Sequence, residues 1–300
     1  MKRLVKYKNG NYTVYIDTET GTKIRKNNLD TLEPEYPESM DIKITNQCDI
    51  GCKMCHENST IDGKHGDIMN AKFIETLHPY TELAIGGGNP LAHPDLEKFL
   101  QKCKDLQLIP SMTVNQIHFM KNIDRIRYLV NNKLIYGLGV SVTDVNDEFM
   151  RAVADFPNAV LHVISGLVDI RDLTKLSYRN FKILILGYKQ FRRGKALYEK
   201  QSKSVERNIE ELREMLLEIK VEKWFSVISF DNLAIKQLLP ERLMNDKQWK
   251  EFYMGDDGQY TMFIDLVEKT FSTSSTTPIE ERHELKDNIK EMFDIIKEEN

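Results

Sequence analysis

The chain has 300 residues, 41% of them hydrophobic, enough for one large domain or two small ones. A net charge of −4 supplies no global positive field for nucleic acid or an anionic membrane surface. No apolar run approaches the roughly 20 residues that span a bilayer, and the basic start lacks the apolar core of a secretory signal. Four cysteines, three of them crowded together, make no disulfide framework, so the expected location is the cytoplasm, where thiols stay reduced.

Residues 1–40 open with an alternating stretch, Tyr12, Val14 and Ile16 against Thr13, Tyr15 and Asp17. A Glu-Thr-Gly turn and a second extended piece follow, which together predict a β-hairpin. The Pro-rich segment LEPEYPES then delivers the chain to a short buried strand around Ile42 and Ile44. From there strand and helix alternate. A helix over 69–77 with Asn70 as cap precedes a strand over 82–85, and a helix over 93–106 precedes a strand over 109–114 that ends at Asn115. Helix 117–132, strand 135–142, helix 147–156, strand 160–165 and a weak helix over 169–176 follow. Residues 181–188 form the most apolar strand, reading as buried on both faces. A basic connector (189–204), a helix (205–220) and a strand (224–230) complete the series.

Six βα units and a seventh strand argue for a parallel sheet curled into a partial or full β/α barrel, with active groups at the carboxyl ends of its strands. The expected organisation is an amino-terminal hairpin and connector (1–40), a core domain (41–230) and a carboxyl-terminal extension (231–300). That extension should hold a helix around 240–253, a hairpin and a charged helix over 279–298. Gly258–Asp265 echoes Gly10–Asp17 residue by residue. Two like hairpins could pair at one end of the barrel, or the echo could reflect composition that amphipathic hairpins share.

The chemistry concentrates at Cys48-x3-Cys52-x2-Cys55, directly after the first core strand. A loop that brings three thiolates to one point is what a metal or a cluster requires. Three thiolates on an iron–sulfur cubane leave one iron without a protein ligand, free to bind another molecule. A structural zinc site built from Cys48, Cys52, Cys55 and His56 is the competing reading, although zinc sites usually pair short knuckles from separated segments. Cys103 lies in a helical pattern and reads as a small packed hydrophobe.

This spacing, with Met54 before the last cysteine, resembles the signature of the radical S-adenosylmethionine (radical SAM) enzymes. Residues 41–230 resemble that superfamily in organisation, and the fold implied is its partial (β/α)6 barrel. The second strand ends in Gly86-Gly87-Gly88-Asn89-Pro90, similar to the Gly-Gly-Glu-Pro-like motif that holds the methionine amino group of the cosubstrate. Here Gly87, Gly88 and Pro90 match, and Asn89 stands at the acidic position. Asn115 resembles a position near the ribose, and Ser141 and Thr143 fall at the end of the fourth strand. Ile164, Gly166 and Asp169 match the fifth-strand pattern near the adenine, with His162 in place of its first Gly.

The resemblance implies one [4Fe-4S] cluster on Cys48, Cys52 and Cys55, and S-adenosyl-L-methionine as cosubstrate. Reductive cleavage would give a 5′-deoxyadenosyl radical that abstracts hydrogen from a small molecule or a peptide. It also implies an electron donor such as flavodoxin or ferredoxin. A glycyl-radical-enzyme activase and a catalytically inactive regulatory barrel are alternatives. Tyr188, Lys189, Arg192 and Arg193 after the sixth strand, and Asp231 and Asn232 after the seventh, are candidates for substrate contact; a basic rim suits an anionic group.

Overall fold

The computed structural model describes residues 3–29 and 31–299. Strands β1 (Leu4–Asn9), β2 (Tyr12–Asp17) and β3 (Lys23–Lys26) form an antiparallel three-stranded sheet, one strand more than the expected hairpin. The strand β1 hides in the sequence because of its six residues only Asn9 is fully buried, so it shows no apolar face.

The barrel follows. Its first strand, β4 (Ser39–Thr45), leads into the cysteine loop and on to β5 (Glu82–Gly87). Then come α1 (Leu96–Asp105), β6 (Ile109–Asn115), α2 (Gln116–Lys121), α3 (Ile123–Asn131), β7 (Gly137–Ser141) and α4 (Asp147–Ala154). The series continues with β8 (Ala159–Ile164), α5 (Ile170–Leu176), β9 (Lys182–Leu186), α6 (Arg193–Val221), β10 (Val227–Phe230) and α7 (Asn232–Leu238). The tail adds α8 (Asp246–Phe252), β11 (Thr261–Asp265), β12 (Thr270–Ser272), β13 (His283–Glu284) and α9 (Ile289–Glu298).

The strands β10-β9-β8-β7-β6-β5-β4-β11-β12-β13 make one sheet in that order, parallel from β10 through β11. The α/β reading and the parallel sheet therefore hold. The tail joins the same sheet: β11 adds to the far side of β4 in parallel, with Phe263 opposite Asp41. The two echoing segments do not pair as strands. They meet through Tyr12 and Tyr260, whose rings stand edge to face at 6.2 Å.

Helical expectations shift where local chemistry overrides the pattern. The 69–77 helix is only a 3-10 turn, Lys72–Thr76, because Asn70 bonds Asp67 instead of capping it. The basic connector becomes the first turns of α6, with a kink at Gln201. Beyond the kink Val205, Ile209, Leu212, Leu216 and Ile219 are buried at alternating four- and three-residue steps, the stripe a core-facing helix needs. Extended backbone at Met244 and Asn245 breaks the expected 240–253 helix into the 3-10 turn Pro240–Leu243 and α8, which Asn245 caps. In the final segment α9 starts only after Asn288, which caps it by accepting from the Lys290 and Glu291 amides.

Strand alternation separates two surfaces. Met40, Ile42, Ile44, Leu83 and Ile85 pack outward into the main apolar core with Leu96, Phe99, Leu100 and Cys103 of α1. Burial pushes the Cys103 thiol up to about 12, so it behaves as the small hydrophobe the sequence suggested. The opposite face of the strands lines the barrel lumen. It presents Asp41, Lys43 and Thr45 from β4, Ser111, Thr113 and Asn115 from β6, and His162 from β8. Gly139 leaves the space that His162 fills, since a Cβ there would lie 2.5 Å from the imidazole.

Candidate active site

The cysteine loop leaves β4 at Thr45 and returns along 58–66, held by backbone bonds from Cys48 N to Thr60 O (2.8 Å), Asn46 N to Lys64 O (2.7 Å) and Gly66 N to Ile44 O (2.8 Å). Gly51 takes φ +67° at its tip, which favours glycine. Cys48, Cys52 and Cys55 are all half-buried free thiols. Burial raises the Cys52 thiol above its ordinary range, and the proximity of Cys55 and Cys48 raises it further.

Their spread discriminates between ligands. Around one zinc, with Zn–S near 2.3 Å, thiolates approach within about 4 Å of one another. Among the described residues, the three ligand atoms that come within 4.8 Å of one another belong to Cys48, Asp49 and His118, not to the three cysteines. His118 Nε2 and Asp49 Oδ1 are already paired at 2.6 Å. His56 does not face the thiols; its Nε2 lies 3.3 Å from Glu57 Oε1 and 3.5 Å from Lys189 Nζ. Three half-buried thiols on one short loop, with His56 engaged elsewhere, offer an all-thiolate donor set that suits a multi-iron body. Spare donors also border the loop. Asn115 Nδ2 lies 3.9 Å from Cys52 Sγ, and Arg193 Nε and His118 Nδ1 are buried without a hydrogen-bond partner. The residues present fit a cluster.

The glycine loop packs directly on this base. Gly88 N donates to Thr45 O (2.8 Å) and Asn89 N to Gln47 O (2.7 Å). A Cβ on Gly87, which sits at φ +113°, would lie 2.3 Å from Thr45 O; one on Gly88 would lie 2.3 Å from Gln47 O. The glycines thus let the second strand's loop seat against the first strand's loop. Asn89 Oδ1 accepts from Leu91 N (3.2 Å) and caps the 3-10 turn that begins at Pro90.

The remaining candidates divide. Asn115 caps α2 and also reaches Cys52. Ser141 and Ile164 end their strands half-buried on the lumen face, and Met54 is half-buried in the cysteine loop. Thr143 is held by Gln116 Oε1. Asp169 caps α5 and pairs with Arg171, whose guanidinium holds its carboxyl down at about 2. Tyr188 does not face the lumen: it is 2% exposed, with its hydroxyl donating to Gly194 O (2.8 Å). Arg192 Nη1 donates to Glu57 O (2.8 Å) and Arg193 Nη2 to Ser59 O (2.5 Å), so both fasten α6 to the cysteine loop. Asp231 caps α7 and accepts from Gly187 N (2.9 Å). Asn232 Nδ2 donates to Asp257 (2.8 Å). Lys189 alone of the basic group reaches across the barrel mouth, donating to Ser275 Oγ (3.0 Å).

Sequence reasoning missed a buried ionic chain beneath the loop. Lys43 Nζ bridges Glu57 Oε2 (2.8 Å) and Asp265 Oδ2 (3.0 Å), and Arg282 Nη1 approaches the same Asp265 oxygen at 3.3 Å. Burial pushes the Glu57 carboxyl up, but His56 and Lys43 outweigh it and leave it well below the carboxylate range. The one available signal was Lys43 itself, a long cation between the apolar Ile42 and Ile44.

No family model and no curated protein sequence matches the chain. Solved structures do. Streptococcus suis SuiB bound to precursor peptide SuiA superposes with a TM-score of 0.65 at 12% identity, over 98% of this chain and 87% of that one. The fold is the radical SAM partial barrel. SuiB bound to S-adenosylmethionine gives 0.62 at 12% identity over 99% and 87% of the two chains. The tagged anSMEcpe with bound AdoMet gives 0.55 at 15% identity over 87% and 77%. At such identities the likeness to radical SAM structures is one of fold. No helix among the described residues is long and apolar enough to cross a membrane.

Proposed function

We propose that the protein is a radical SAM enzyme that binds one [4Fe-4S] cluster through Cys48, Cys52 and Cys55. The observation that carries this reading is the placement of three half-buried free thiols on one loop at the carboxyl end of the first strand of a barrel with the radical SAM fold. Bound there, the cluster and S-adenosylmethionine would supply a low-potential electron and a carbon radical able to abstract hydrogen.

The chain's own residues position and shield. Glu57, Arg192 and Arg193 hold the loop on the barrel rim, and Asn115 stands over Cys52. The loop at Gly87 to Pro90, with Met54, Asn115, Ser141, Ile164 and Asp169, forms the arc in which the cosubstrate would lie. His162, pressed down to about 4 by burial, stays neutral in the lumen and adds no charge to the radical's path. The substrate is a peptide or a small molecule; the SuiB complex with a precursor peptide supports the former. An electron donor of the flavodoxin or ferredoxin kind completes the reading.

Anaerobic reconstitution tests it. We expect about four irons per chain, with dithionite giving a reduced-cluster electron paramagnetic resonance signal that shifts on adding S-adenosylmethionine. Zinc in place of iron, or full iron occupancy after Cys52→Ala, would overturn it.

A further inference from the structure

Helix α2 touches the cysteine loop at two points. Asn115, its cap, reaches Cys52 Sγ at 3.9 Å. One turn on, His118 reaches Cys48: a ring nitrogen of His118, the Cys48 Sγ and an Asp49 carboxylate oxygen all lie within 4.8 Å of one another. The His118 side chain is 4% exposed. Its Nε2 lies 2.6 Å from Asp49 Oδ1, and since an ionised carboxylate only accepts, Nε2 carries the hydrogen. Its Nδ1 is buried without a hydrogen-bond partner. That orphan costs stability, and an apolar side chain in the same place would avoid the cost. Nor does the loop need the contact as a fastener. Asn115 already ties α2 to it, Arg192 and Arg193 tie α6 to it, and Asp49, 48% exposed, is open to water. A buried polar atom left alone in this way marks a partner that the chain itself does not supply.

We infer that His118 is a positioning residue of the cluster: its Nδ1 donates to a sulfur on the Cys48 side, while its Nε2 keeps the Asp49 carboxylate paired. This rests on the cluster reading above and adds a determinant of the cluster's potential that lies outside the three ligands. A ring that donates from both nitrogens is an imidazolium, set here between one carboxylate and the thiolate charge that the loop concentrates. Hydrogen bonds to the sulfurs and net charge are among the quantities that set such a potential. A donor beside Cys48 withdraws charge from the sulfur and favours the reduced cluster, so His118 raises the potential. Asp49 acts in the opposite sense, and its pairing with His118 restrains that effect. The other side of the loop is built alike, since Asn115 and the Arg193 cation bear on Cys52. Cys48 and Cys52 then each have a donor from outside the loop.

The test needs no substrate and no turnover. The full chain, produced with heavy-nitrogen histidine, is reconstituted with iron and sulfide, reduced with dithionite and read by pulsed electron paramagnetic resonance. We expect a hyperfine coupling between the cluster and a histidine nitrogen in wild type. It should vanish in His118→Gln, whose amide can keep the Asp49 bond at the Nε2 position and offers nothing at Nδ1. A redox titration of the same samples should place the His118→Gln potential at least 59 mV below wild type, a tenfold change in the one-electron ratio. Asp49→Asn, which removes the opposing charge, should move it upward. A role confined to fastening α2 would predict wild-type behaviour for His118→Gln. An equal potential in that variant, or a wild type without histidine coupling, would therefore overturn the inference, and the wild-type spectrum decides even if a variant fails to fold. The two levels separate cleanly. A chain that takes up no iron sinks the cluster reading, whereas a loaded cluster without histidine coupling sinks this inference alone.

Discussion

Replacing Asp265 by Asn should destabilise the protein by about 3 kcal/mol, the lower end of the range for breaking a buried ion pair. Asp265 is 0% exposed; its Oδ1 accepts from the Val267 and Glu268 amides, both at 3.0 Å, and its Oδ2 meets Lys43 and Arg282. Asparagine can keep the Oδ1 contacts, so the turn after β11 survives. What it loses is the negative charge between two buried cations, and its NH2 would point donors at donors. Lys43 keeps Glu57 at 2.8 Å, which is why the lower end of the range applies. Equilibrium urea unfolding followed by tryptophan fluorescence should show the midpoint falling by about 1 M, taking a slope of about 3 kcal/mol/M. Lys43 also links Asp265 to the segment just after Cys55, so the variant should lose iron to a chelator faster than wild type. A stability loss below about 1 kcal/mol would refute the view that this chain of charges holds the loop.

Two further outcomes follow from named contacts. Arg193→Gln removes a cation that bears on Cys52 and an unpartnered buried Nε–H. The cluster potential should fall by on the order of 59 mV, a tenfold change in the one-electron ratio, in a redox titration read by electron paramagnetic resonance; an unmoved potential would leave Arg193 as a fastener only. At the other end of the barrel, burial pushes the Glu38 carboxyl up, but Lys23, Arg25 and Tyr12 together hold it below its ordinary value. Its contribution to stability is therefore present above the ordinary carboxylate range and lost as pH falls through the depressed value. Glu38→Gln should flatten the acid limb of a pH–stability curve, and an unchanged acid limb would contradict this.

The barrel was legible because its strands and helices alternate in a simple period and each strand buries an apolar face. The cysteine loop was legible because metal-binding chemistry needs several thiols close together. The tail was not. β11 resembles an amphipathic hairpin strand in composition, and only three-dimensional pairing with β4 turns Asp265 and Arg282 into members of the site. In the Ser/Thr run at 272–277, Ser275 and Thr277 receive the Lys189 and Arg282 side chains, contacts that no local pattern announces. Arg192 and Arg193 looked like a binding rim because a sequence does not say which carbonyls lie opposite. The structure gives both of them backbone partners in the cysteine loop, and of the basic group only Lys189 reaches across the barrel mouth.

Asn89 shows how a departure from the family pattern can have a local cause. Its Oδ1 caps the turn Pro90–Ala92 through the Leu91 amide, a role that suits short Asn or Asp side chains and that Glu, one methylene longer, fills less well. The cap is worth about 1 kcal/mol, and a charge-assisted bond to the cosubstrate ammonium exceeds a neutral one by a similar amount. Aspartate would keep the cap and add the charge, whereas glutamate would add the charge and give up the cap. Asn89→Asp should therefore tighten S-adenosylmethionine by up to about tenfold, since ~1.4 kcal/mol is a factor of ten. Asn89→Glu should gain less and should also lower the melting temperature. Equilibrium binding to the three reconstituted proteins decides the matter. Equal affinities would mean that residue 89 does not face the ammonium, and a tighter Glu variant of undiminished stability would mean that the cap plays no part in the choice of asparagine.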